Sequence, residues 1–137
     1  PKGAERYVQT YLYTGDERSK AVQRLALSTA ALKQPTLVVR FGGEDGDDGL
    51  GVWGCALPIE VVQIRLPGLD WPPGHTPAAE LAVQTTVAIL ARMIASGDYR
   101  LVILDGVQAA VSRQLLDVAY LQKLTRSAGD QTRIAMT

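Results

Sequence analysis

Hydrophobic period changes repeatedly along this chain, and that change most constrains its fold. Residues 6–13, "RYVQTYLY", are β-branched and aromatic with partial alternation, which predicts a strand. After the turn Thr14-Gly15-Asp16 the spacing shifts. Val22, Leu25, Ala26, Thr29 and Ala30 recur at three and four, predicting a helix over 20–33 that Pro35 terminates. The apolar run "TLVVRF" at 36–41 predicts a buried strand, and 42–51, "GGEDGDDGLG", a loop. A third strand is expected at 59–66. The next segment, 67–77, holds four prolines and cannot be regular structure. The longest periodic stretch, 78–96, predicts a helix with Leu81, Ala82, Thr85, Ala88, Ile89, Arg92 and Met93 along one side and Gly97 as its stop. A fourth strand follows at 99–105, "YRLVILD". A helix over 112–127 comes next, with Ser112 or Asp117 able to cap its start, and a fifth strand opens at "TRIAM".

Strands alternating with helices point to one α/β domain over 1–137. Its sheet should be mostly parallel, with about five or more strands flanked by helices. Ligands of such sheets bind beyond the carboxyl ends of the strands. The loops near 14–20, after 41, at 66–76 and after 105 are therefore the places to look for chemistry. The fifth strand begins close to the end of the sequence, so a further C-terminal segment completing the site is expected.

Composition narrows the function classes. Fourteen basic and fourteen acidic side chains give a formal net charge of +0, with no global attraction to nucleic acid or an anionic membrane. A single cysteine, Cys55, excludes an internal disulfide and a cysteine metal cluster. No apolar run approaches the roughly 18 residues of a membrane span. The expectation is a cytoplasmic domain.

Within "YLYTGDERSKA" (11–21), Lys20 stands where the lysine of a phosphate-binding P-loop would stand. Such a loop needs successive inward N–H groups, a lysine on phosphate oxygens and a hydroxyl on Mg²⁺. Gly15, Asp16, Arg18, Ser19, Lys20 and Ala21 occupy its positions, but Ser19 replaces the glycine before the lysine and Ala21 the metal-binding hydroxyl. The same residues also read as a charged helix N-terminus, which spacing alone favours. At the end of the fourth strand, Asp105 follows four apolar residues in the Walker-B pattern, beside the first-strand loop, or else caps the following segment. Glu44, Asp45, Asp47 and Asp48 lack calcium-loop spacing and read as a solvated loop. The lone His75 and the scattered Arg40, Arg65, Arg92 and Arg113 form no metal site or nucleic-acid stripe. Trp53 and Cys55 pack the acidic excursion or face a partner.

Taken in order, "YTGDERSKAVQRLALSTA", "VVRFGG", "GLDW" (68–71), "YRLVILDG" and "LLDVAYLQKL" resemble the P-loop-type corrinoid (cobalamin) adenosyltransferases across nearly the whole chain. That family moves the adenosyl group of ATP to reduced corrinoid cobalt. The resemblance implies a P-loop NTPase-like fold. It also implies ATP with Mg²⁺ and a corrinoid as ligands, and a homodimer. It matches Lys20 to the phosphate lysine, Asp105 to the Walker-B aspartate and Trp71 to the corrinoid-side tryptophan. Leu69 stands for the family's phenylalanine there, Glu17 and Ser19 for loop glycines, Ala21 for its hydroxyl and Gly106 for a metal-side glutamate. Two oxygen ligands for Mg²⁺ are thereby missing. Glu17 adds a charge whose repulsion of phosphate is roughly a few kcal/mol at about 4 Å in a partly shielded site. The expectation is a degenerate relative that binds a small ligand or a protein partner without turning over ATP. The alternative is an active ATP:cob(I)alamin adenosyltransferase.

Overall fold

The computed structural model describes residues 8–10, 16–42, 53–54, 56–64, 77–114 and 116–137, with 8–10, 16–19 and 79 described by backbone alone. The elements run β1 (Val8–Thr10), α1 (Asp16–Ala31), β2 (Thr36–Phe41), β3 (Ile59–Ile64), α2 (Pro77–Ala95), β4 (Leu101–Asp105), α3 (Val107–Ser112), α4 (Val118–Ser127) and β5 (Arg133–Met136). The five strands form one sheet in the order β1-β5-β4-β2-β3, and every neighbouring pair is parallel. This is the α/β architecture that the alternation of periods predicts.

Side chains alternate across the strands, so each strand feeds two cores. Leu37, Val39, Val102, Leu104 and Ile134 face one side and pack with Val83, Val87, Leu90 and Ile94 of α2, Val107 of α3 and Leu124 of α4. Val38, Leu101, Ile103 and Ala135 face the other side and pack with Val22, Ala26 and Ala30 of α1. Ala26 and Ala30 are fully buried, and their small side chains let the helix axis approach the sheet closely. The central strands β2 and β4 are buried on both faces, which is why they read as unbroken apolar runs. Emptying a site such as Leu104 costs about 3 kcal/mol through lost transfer energy and the cavity left behind.

Several boundaries differ from the sequence expectation. Helix α1 begins at Asp16, one turn before Lys20. The helix expected over 112–127 is shorter, Val118–Ser127, and a separate short helix, Val107–Ser112, precedes it. α3 stops at Ser112, Gln114 takes φ 58°, and α4 starts after Asp117, whose Oδ1 accepts from the Ala119 N–H at 2.9 Å. On α2 the expected stripe does share one side of the helix, and that side faces outward. Val83, Val87, Leu90, Ala91 and Ile94 are buried, whereas Leu81, Ala82, Thr85, Ala88, Ile89 and Arg92 are exposed and Met93 is half-buried. Both faces of this helix are apolar at helical spacing, so period alone cannot choose between them.

Helices α1 and α2 end alike but with different residues. After α1 the Lys33 N–H donates to the Ala30 carbonyl at 2.8 Å and the Gln34 N–H to the Thr29 carbonyl at 3.4 Å. Lys33 itself is left-handed, with φ 60°. That is a Schellman ending, whose left-handed position is ordinarily glycine, and an L-residue there costs about 1 kcal/mol. The corresponding position after α2 is Gly97, with φ 78°.

Candidate ligand site at the carboxyl edge of the sheet

Arg40 and Asp105 are register partners on the neighbouring strands β2 and β4, at the carboxyl ends of both. Alternation puts both on the side covered by α1. Asp105 is buried and Arg40 nearly so; Arg40 Nε lies 3.9 Å from Asp105 Oδ2. The other carboxylate oxygen, Oδ1, accepts from the Thr137 hydroxyl at 2.8 Å. Thr137 follows β5, the strand beside β4. Its Oγ1 also accepts from the Gly106 N–H at 2.9 Å, its N–H donates to the Leu104 carbonyl at 3.1 Å, and its carbonyl accepts from the Gln108 N–H at 3.0 Å. Both oxygens of the Asp105 carboxylate are thus engaged by the protein.

The residue after Asp105 is fixed just as firmly. Gly106 has φ 82°, and a Cβ built there would stand 2.9 Å from the Phe41 carbonyl oxygen. No other residue type fits without moving the end of β2. On the next strand, the Gln63 Nε2 donates to the Gly42 carbonyl at 2.8 Å, pinning the exit of β2 to β3.

The remaining predicted positions lie apart from this cluster or outside the described residues. Asp16, Arg18 and Ser19, with Glu17, form the first turn of α1 rather than a loop leading into the lysine. Lys20 is exposed in the second turn, and among the described residues its ammonium has no hydrogen-bond or ion-pair partner. Ala21 is half-buried. In the sheet β5 lies between β1 and β4, so Asp105 is not on a strand neighbouring β1; the loop after β1, at 11–15, lies outside the described residues. Gly15, Leu69, Trp71, His75, Cys55, Arg65 and the acidic positions 44, 45, 47 and 48 lie outside the described residues. Arg92 is exposed on α2, Arg113 is exposed in the turn that caps α3, and Trp53 is exposed in helical conformation.

Sequence reasoning passed over two members of the cluster. Arg40 carried a readable signal, since a charge inside a buried apolar run requires a partner. Thr137 carried none, because its role depends on β5 pairing with β4. No protein-family model matches the chain, and no curated protein matches it. The chemistry of the edge therefore rests on its geometry.

That geometry does not suit a divalent cation. Mg²⁺ needs near-octahedral oxygen ligands. Here the Asp105 carboxylate already accepts a hydroxyl and faces a guanidinium, which would repel a dication. Among the described residues no group of three or more His, Cys, Asp or Glu side chains is placed to hold a metal ion. Among them, too, no helix is long and apolar enough to cross a membrane.

Proposed function

We propose that this chain is a P-loop NTPase-like protein related in plan to the corrinoid adenosyltransferases, which binds a small ligand or a protein partner and does not turn over ATP. One observation carries the reading. Asp105, the residue matched to a metal-side aspartate, is bound internally by Thr137 and Arg40, and Gly106 beside it adopts a backbone that excludes the family's glutamate. Magnesium chemistry loses both positions through the same local arrangement. The start of α1 supports the reading from a second side, because the residues ahead of Lys20 are a helical turn. A helix N-terminus still attracts anions, so weak phosphate affinity at this edge is compatible with it. An active adenosyltransferase would need oxygen ligands that the described residues of this edge do not supply.

Calorimetric titration with MgATP tests the proposal. Weak binding that is the same with and without Mg²⁺ is the expected result. Micromolar binding that requires Mg²⁺ and vanishes in Lys20→Ala would overturn it. A spectral shift of cob(II)alamin on mixing identifies a corrinoid as the ligand; an unchanged spectrum with folded protein removes it. The resemblance also carries a two-copy assembly, which sedimentation of the purified chain reads directly.

A further inference from the structure

The opposite edge of the sheet holds a cavity of about 690 Å³. It is lined by Lys33 and Gln34 after α1, by Gly97 and Asp98 after α2, and by Arg100, Gln131 and Arg133 where β4 and β5 begin. Three cationic side chains from three separate segments therefore surround one opening, against the single carboxylate of Asp98. The floor is fixed by backbone: the Arg100 N–H donates to the Pro35 carbonyl at 2.8 Å and the Arg133 N–H to the Arg100 carbonyl at 2.9 Å. Arg100 Nη1 donates to Gln131 Oε1 at 2.9 Å, which holds that guanidinium across β4 and β5 while its other donors remain for a ligand. Among the described residues, neither the Lys33 ammonium nor the Arg133 guanidinium has a hydrogen-bond or ion-pair partner.

Lys33 is the distinguishing feature. It holds a left-handed position that glycine takes at the matching end of α2, and both positions border this cavity. A strained side chain that persists points to a use for it. A cation is favourable at a helix C-terminus, which accounts for Lys33 in part. It does not account for Arg100 and Arg133, which come from strand starts.

We propose that this cavity binds a small molecule bearing two or more linked phosphate groups, held by Lys33, Arg100 and Arg133. The two guanidiniums suit phosphate by their planar fork of donors, and the ammonium adds a point charge. Three cations from three segments offer more donors than one phosphate uses, and a chain of two or three phosphates presents oxygens to each of them. The site is separate from the Asp105 edge and does not depend on the function proposed there.

Titration of sodium tripolyphosphate into the full chain without divalent metal, at low ionic strength, tests the proposal. The expected result is saturable binding that orthophosphate matches only at far higher concentration. Lys33→Gly and Arg133→Gln should each weaken it roughly tenfold, the loss of one charge-assisted contact. Binding should also weaken between about 0.01 M and 0.15 M salt, as the Debye length falls from about 30 Å to about 8 Å. Lys33→Gly suits the left-handed backbone, so its thermal midpoint should not fall, and lost binding cannot then be assigned to unfolding. Arg100→Gln gives a further folded variant should Arg133→Gln be unstable. No binding at millimolar tripolyphosphate overturns the proposal. So does equal affinity in the Lys33→Gly variant, or loss of binding in Lys20→Ala, which would place the phosphates at the other edge.

Discussion

The two edges of the sheet use charge in opposite ways. At the carboxyl edge, Asp105 and Arg40 are largely removed from water, face each other across neighbouring strands, and are tied in by Thr137. At the amino edge, Lys33, Arg100 and Arg133 are exposed around an open cavity. A buried charge is costly unless paired, so the first edge must satisfy itself and has little left for a ligand. An exposed charge costs little to leave unpaired, so the second edge keeps its binding capacity. Among the described residues, the edge with the suggestive motif is therefore the self-satisfied one, and the edge without a motif is the open one.

The sharpest way to break this comparison is Gly106→Glu. If the carboxyl edge were merely lacking a ligand, this change would restore one. The observed backbone predicts instead a loss of about 3 kcal/mol, from left-handed strain and collision with the Phe41 carbonyl. A lowered denaturation midpoint without gain of Mg²⁺ binding is the expected outcome. A stable variant that binds Mg²⁺ would show that the exit of β2 can move.

Asp105→Ala comes next, with an expected loss of about 2 kcal/mol. It leaves the Arg40 guanidinium largely buried without its carboxylate and removes the acceptor of the Thr137 hydroxyl. Replacing both charges, Arg40→Met with Asp105→Leu, should recover most of that loss, because the desolvation cost disappears with the pair. A double-mutant cycle in chemical denaturation measures the coupling. Additive losses would mean that the 3.9 Å approach contributes nothing.

How much of this was legible depends on range in sequence. β2 was readable to the residue, and β4 nearly so, because double burial writes an apolar run. The inner face of α1 was readable because Val22, Ala26, Thr29 and Ala30 are buried there while polar residues occupy the other side. The inner face of α2 was not, since Leu81 and Ile89 present an equally good apolar stripe outward. α3 is six residues long, too short to establish a period. Asp105 was visible at its strand end. Its partner Thr137 was not, because the contact spans 32 residues and needs the β5–β4 pairing. The cationic cavity likewise needs three chain segments brought together by the strand order.

A smaller effect is expected at alkaline pH. The Tyr99 hydroxyl donates to Glu60 Oε2, joining the start of β4 to the edge strand β3. Burial first, and then the hydrogen bond to and charge of Glu60, push the phenol up to about 12 from its usual 10.0. The folded chain thus holds this proton more tightly than the unfolded chain does. The stabilisation is complete below about pH 10 and is lost as pH rises through about 12. Tyr99→Phe should flatten that part of the stability profile. If the slope between those pH values is unchanged, the tyrosine–carboxylate bond does not form in solution.

Lys20→Ala should do least to the fold, and that is its value. The side chain is exposed on α1 and has no partner among the described residues, so its removal should change stability by less than about 0.5 kcal/mol. Any effect on ligand binding is then a direct one. If tripolyphosphate affinity stays the same in Lys20→Ala but falls in Lys33→Gly, the two edges are independent and the open edge is the binder. If both variants lose affinity equally, long-range charge rather than a local cavity sets the binding. Adding salt would then remove the loss at both positions together, because screening acts on distant charges before adjacent ones. A loss at Lys33 that survives salt, with Lys20 silent, is the signature of contact.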